Sequence, residues 1–93
     1  MPQKLKVPKG WKKEGKWLVR KYKFKTFLQA LGFLNIVGTI GEELMHHPDA
    51  HLENYNNLTL KITSHRQGKL TQKDFELAGR IEKILSKDNR SPV

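Results

Sequence analysis

Apolar and polar positions alternate from Trp17 to Phe24 (WLVRKYKF), where Leu18, Tyr22 and Phe24 share one face with Arg20 and Val19 lies opposite among lysines. That period of two predicts a strand. Upstream, the stretch from Trp11 to Trp17 centres on Glu14-Gly15-Lys16, which reads as a hairpin turn, and residues 1–10, with Pro2, Pro8 and Gly10 among lysines, read as an extended lead-in. From Thr26 the period becomes helical. Phe27, Leu31, Leu34, Val37, Gly41 and Leu44 recur at spacings of three and four, and Leu28, Phe33, Ile36 and Ile40 widen the stripe, which predicts a helix from Thr26 to Met45. Being apolar on more than one face, it needs cover from its own sheet and, in so short a chain, from another subunit. Gly32, Gly38 and Gly41 each cost about 1 kcal/mol relative to alanine inside a helix, a cost that close helix packing could offset. Pro48 then forces the chain out of the helical region.

Leu52 to Asn56 reads as a short strand. Leu58 to Ser64 is a clearer one, with Leu58, Leu60 and Ile62 toward a core and Thr59, Lys61 and Thr63 away from it. Arg66 to Lys69 is a loop, after which Thr71 and Asp74 form a capping box and Leu70 and Phe75 an apolar staple at the start of a last helix. Leu77, Ala78, Ile81, Ile84 and Leu85 supply its buried stripe, and residues 87–93 read as a flexible polar tail. The order strand, strand, helix, strand, strand, helix predicts an α+β fold, a four-stranded antiparallel sheet with helices packed on one face, in a single domain over residues 1–93.

Composition narrows the chemistry. Cysteine is absent from the 93 residues, which excludes disulfides, thiolate metal clusters and a cysteine nucleophile. The net charge of +9 comes from residues 1–25, with ten Lys/Arg against Glu14 alone, while residues 26–93 carry eight of each sign. Lysines alternating along a strand read as a solvated edge rather than a nucleic-acid groove. The apolar run from Phe27 to Ile40 is too short and too interrupted to span a bilayer, and no apolar stretch follows the basic start, so the expectation is a soluble cytoplasmic protein.

Three of the four histidines fall within six residues, in Glu42-Glu43-Leu44-Met45-His46-His47-Pro48-Asp49-Ala50-His51. If the helix continued through them, Glu42 and Glu43 would neighbour His46 and His47, and both the carboxylates and the helix C-terminus would favour protonated imidazoles. That describes a general acid near neutral pH. It also describes a polar helix end with no chemistry. A metal site is disfavoured, because His47 and His51 have helical ligand spacing but Pro48 breaks the helix between them.

The order Glu42, three residues, His46-His47-Pro48, Tyr55, nine residues, His65, eight residues, Asp74 resembles the pterin-4a-carbinolamine dehydratases, over nearly the whole chain from Trp11. The resemblance implies removal of water from 4a-hydroxytetrahydropterin to give the quinonoid dihydropterin, without metal or organic cofactor, in a homodimer or homotetramer. It implies His46, His47 and His65 as the catalytic histidines and Glu42 and Asp74 as supporting carboxylates. Met45, His46, His47, Thr63, Ser64, His65 and Arg66 would line the pterin site. His51 is read as a surface residue. The alternative is a binding or dimerisation module that meets a protein or nucleic-acid partner through the basic N-terminal segment.

Overall fold

A computed structural model describes residues 6–88, with side chains through Ile84, so the readings made for residues 1–5, for 89–93 and for the Leu85 side chain lie outside the described residues. β1 (Lys12–Glu14) and β2 (Trp17–Lys23) form a hairpin, α1 (Phe27–Leu44) follows, and β3 (Asp49–Glu53), β4 (Asn57–Ile62) and α2 (Gln72–Asp88) complete the chain. α2 therefore runs two residues into the stretch read as tail. The strands make one antiparallel sheet in the order β1-β2-β4-β3. Both helices cover the same face, giving the expected α+β architecture. Among the described residues no helix is long and apolar enough to cross a membrane.

Alternation along the central strands builds the core. Leu18, Tyr22 and Phe24 from the β2 segment and Leu58, Leu60 and Ile62 from β4 point at Ala30, Phe33, Val37 and Ile40 of α1 and Leu77, Ala78 and Ile81 of α2. The buried stripe of α1 thus runs through Phe33, Val37 and Ile40, while Phe27 is 47 % and Leu28 77 % exposed. This differs from the expected stripe led by Phe27 and Leu31. A helix apolar on more than one face leaves its rotation open, and here it is set by buried Phe24 and by the Thr26 hydroxyl, which accepts from the Gln29 N–H at 3.0 Å.

The turns explain the remaining boundaries. Glu14 pairs with Trp17, leaving Gly15-Lys16 as a two-residue loop with Gly15 at φ 60°, the first-position glycine that a II′ hairpin requires. β3 begins directly after Pro48, three residues before the expected start. Its register, Ala50 to Leu60 and Leu52 to Leu58, puts Asn54 and Tyr55 in the connecting turn, both at positive φ, where a strand cannot continue.

Arg20, the one charge on the inner face of β2, has a partner 62 residues away. Its Nε lies 3.2 Å from Glu82 Oε1, and the same oxygen accepts from Trp11 Nε1 at 2.8 Å and from the Tyr22 hydroxyl at 2.9 Å. Burial, followed by the Glu82 charge, holds the Tyr22 hydroxyl far above its ordinary value of 10.0. Arg20 also presses on Gly10, where a Cβ would stand 2.6 Å from the guanidinium carbon. This knot ties the chain before β1 to the sheet and to α2.

Candidate active site

The histidine pair is positioned by how α1 ends. Met45 adopts the left-handed conformation (φ 51°, ψ 41°), its N–H reaching the Glu42 carbonyl at 3.3 Å while the His46 N–H reaches the Gly41 carbonyl at 3.0 Å. This is a Schellman closure, and it turns the chain off the helix before His46. The expectation that the histidines extend α1 beside Glu42 and Glu43 is therefore corrected. Glu42 meets only His47, at 2.6 Å between Oε2 and Nε2, and Glu43 pairs with Arg80 at 2.7 Å. The segment folds back against the helix, so that a Cβ on Gly41 would lie 3.1 Å from His47 Cδ2 and 3.3 Å from the His46 carbonyl oxygen. Only glycine allows this approach without displacing the histidines.

His46 reaches across the molecule instead. Its Nε2 lies 2.6 Å from Oδ1 of Asp74, the third residue of α2, and Asp74 is fully buried. The other carboxylate oxygen, Oδ2, accepts the Ser64 hydroxyl at 2.8 Å and the Thr71 N–H at 2.7 Å. Since the Ser64 proton goes to Asp74, the Thr71 hydroxyl, 2.8 Å from Ser64 Oγ, donates to Ser64. A carboxylate surrounded by donors is an acceptor at both oxygens, so His46 carries its proton on Nε2. Its second nitrogen, Nδ1, has no partner among the described residues. The capping box is thus half present: Asp74 reaches back to the Thr71 N–H, while the Thr71 hydroxyl serves the network.

Three segments enclose a cleft of about 750 Å³: Met45 to Asp49 after α1, Thr63 to Gln67 after β4, and Thr71 to Lys73 at the start of α2. Its size is within the range of small-molecule sites, about 300–1,000 Å³. All seven residues proposed to line a ligand site, Met45, His46, His47, Thr63, Ser64, His65 and Arg66, border it. Glu42 stands behind His47 and Asp74 beneath His46. The Thr63 hydroxyl bonds the Lys16 carbonyl, pinning the end of β4 to the start of β2. His51 is exposed on β3, bonded to Glu53 at 2.8 Å and apart from the cleft. Among the described residues no group of three or more His, Asp or Glu side chains is arranged to hold a metal.

Some of this lay beyond sequence reasoning. Pro48, Asp49, Gln67, Thr71, Gln72 and Lys73 also line the cleft. The capping pattern marked Thr71, but only for helix initiation, and nothing local ties residue 74 to residue 46.

A family model described as pterin 4 alpha carbinolamine dehydratase matches residues 1–84. A Koribacter versatilis protein named "Putative pterin-4-alpha-carbinolamine dehydratase" is 44 % identical over 75 residues, which cover 81 % of this chain and 79 % of that protein. A Thermomicrobium roseum protein of the same name is 40 % identical over 77 residues, covering 83 % and 82 %. Among solved structures, a transcriptional coactivator/pterin dehydratase from Brucella melitensis superposes with a TM-score of 0.75 at 29 % identity, covering 82 % of each chain. A pterin dehydratase-like protein identified as a RuBisCO assembly factor in the alpha-carboxysome gives 0.65 at 19 % identity over 81 % of this chain and 88 % of that one, a likeness of fold.

Proposed function

This chain belongs to the pterin 4 alpha carbinolamine dehydratase family, and on that premise we propose that its cleft dehydrates 4a-hydroxytetrahydropterin to the quinonoid dihydropterin by histidine acid/base catalysis. One observation carries the reading: His46 borders the cleft with its Nε2 held 2.6 Å from buried Asp74, which leaves Nδ1 for a ligand. The reaction needs two proton movements. One imidazole delivers a proton to the departing 4a-hydroxyl, which leaves as water, and another accepts the proton lost from a ring nitrogen. His46, His47 and His65 are the groups at the cleft that can do both near neutral pH. Glu42 orients His47 as Asp74 orients His46.

The test follows the initial decay of chemically generated carbinolamine with and without protein, because the uncatalysed reaction is itself appreciable. Acceleration by the wild type supports the reading, and a folded protein that gives none removes it. A homo-oligomer belongs to the same proposal, supported by exposed Phe27 and Leu28 on α1. A monomer at micromolar concentration in sedimentation equilibrium would contradict it.

A second reading, a binding module, is favoured by the helix-free face of the sheet, where Lys12, Lys21, Lys23 and Lys61 stand exposed. Lys12, Lys21 and Lys23 do not line the cleft, so neutralising these three should change salt response and leave turnover unaltered.

A further inference from the structure

His65 is held differently from the other cleft histidines. His46 and His47 each bond a carboxylate, whereas among the described residues no hydrogen bond holds the His65 ring. Its neighbour is Trp17, the first residue of β2, with ring centroids 5.6 Å apart and planes at 80°. The Lys61 ammonium in turn lies 4.5 Å from the centroid of the Trp17 ring, a cation–π contact. The two strands that carry Trp17 and Lys61 are registered by the pairs Leu18 to Ile62 and Val19 to Lys61, and the Thr63 hydroxyl on the Lys16 carbonyl fastens them just beside His65. A half-buried tryptophan on the helix-free face adds nothing to the core, and the proposed mechanism does not use it.

We propose that Trp17 is a positioning residue for His65, holding the imidazole in one rotamer at the rim of the cleft, with Lys61 bracing the indole. The functional consequence of this rests on the dehydratase reading, whereas the positioning itself does not. An edge-to-face aromatic pair biases an equilibrium by about two- to tenfold, which is the loss expected when the ring is released to its other rotamers. Because only the orientation of a proton carrier changes, the loss should fall on kcat and leave KM unaltered.

The experiment compares wild type with Trp17→Phe, Trp17→Leu and Lys61→Met, after thermal unfolding has shown each to be folded. Side-chain NMR couplings and the ring-current shifts of the His65 carbon-bound protons report the rotamer without reference to activity. A single, ring-current-shifted rotamer is expected in wild type and in Trp17→Phe, with averaging in Trp17→Leu. Lys61→Met leaves the core untouched and provides a second probe should Trp17→Leu not fold; a smaller averaging is expected there. Dehydration by Trp17→Leu should fall about two- to tenfold in kcat, with recovery in Trp17→Phe. An averaged His65 in wild type, or equal order in wild type and Trp17→Leu, would overturn the positioning, and full averaging in Trp17→Leu with unchanged kcat would overturn its functional consequence. If wild type shows the ordered ring but no dehydration, the positioning stands and the dehydratase reading alone fails.

Discussion

Asp74 and Glu82 stand about two turns apart on α2, and each carboxylate gathers three residues from elsewhere in the chain. Glu82 collects Trp11, Arg20 and Tyr22, which are all donors and keep their protons near neutral pH. Asp74 collects Ser64, Thr71 and His46, and the last of these is an imidazole, with a second nitrogen beside a cleft that can give or take a proton. One knot is closed, with every partner consumed in holding the fold. The other is open at one atom. The comparison teaches that a buried carboxylate alone does not mark a reactive site; its partner must be able to gain and lose a proton where a ligand can reach it.

The largest expected effect comes from Asp74→Asn, which keeps the shape of the open knot. Ser64 and Thr71 require an acceptor, so the amide oxygen must face them and the amide NH₂ must face His46, pushing the imidazole proton from Nε2 to Nδ1. Dehydration should fall on the order of 10²-fold or more, and the histidine tautomer should change in ¹⁵N spectra. An unchanged tautomer would break the proposed role of Asp74.

Glu82→Gln should do the opposite. It weakens the closed knot by about 1–3 kcal/mol in urea unfolding and leaves the turnover of the folded protein unaltered. A loss of turnover without a loss of stability would mean that the two knots had been assigned the wrong way round.

Tyr22→Phe gives a smaller effect confined to alkaline pH. With its folded value raised above 10.0, Tyr22 is bound to its proton more tightly in the folded state. Its contribution is fully present below pH about 10 and declines as pH rises beyond that value. Stability of the wild type measured between neutral pH and pH about 11 should fall, and removal of the hydroxyl should flatten that fall. His51→Ala should have the least effect, with stability within about 0.5 kcal/mol and turnover unaltered, since its exposed pair with Glu53 lies away from the cleft.

How much of this was legible differs between the two knots for a physical reason. Periodicity along the chain revealed the strands and helices, and the family resemblance carried by the spacing from Glu42 to Asp74 implied residues that border one cleft. The closed knot left only a trace, an arginine on the apolar face of β2, because its partner lies 62 residues away. The left-handed Met45 had no local signature, since such a conformation favours glycine and costs other residues about 1–2 kcal/mol. Without it the histidines read as part of the helix. The rotation of α1 was likewise undetermined, because a helix apolar on more than one face fits a sheet in more than one way.

The most direct measurement is the initial rate of carbinolamine decay with wild type, His46→Ala and His65→Ala, each verified as folded by circular dichroism. Wild type should accelerate the decay, and each variant should lose on the order of 10²-fold, the usual contribution of a general acid or base. A wild type that is folded and does not accelerate, or a His46→Ala protein that matches it, would contradict the assignment of proton transfer to the histidine held by Asp74.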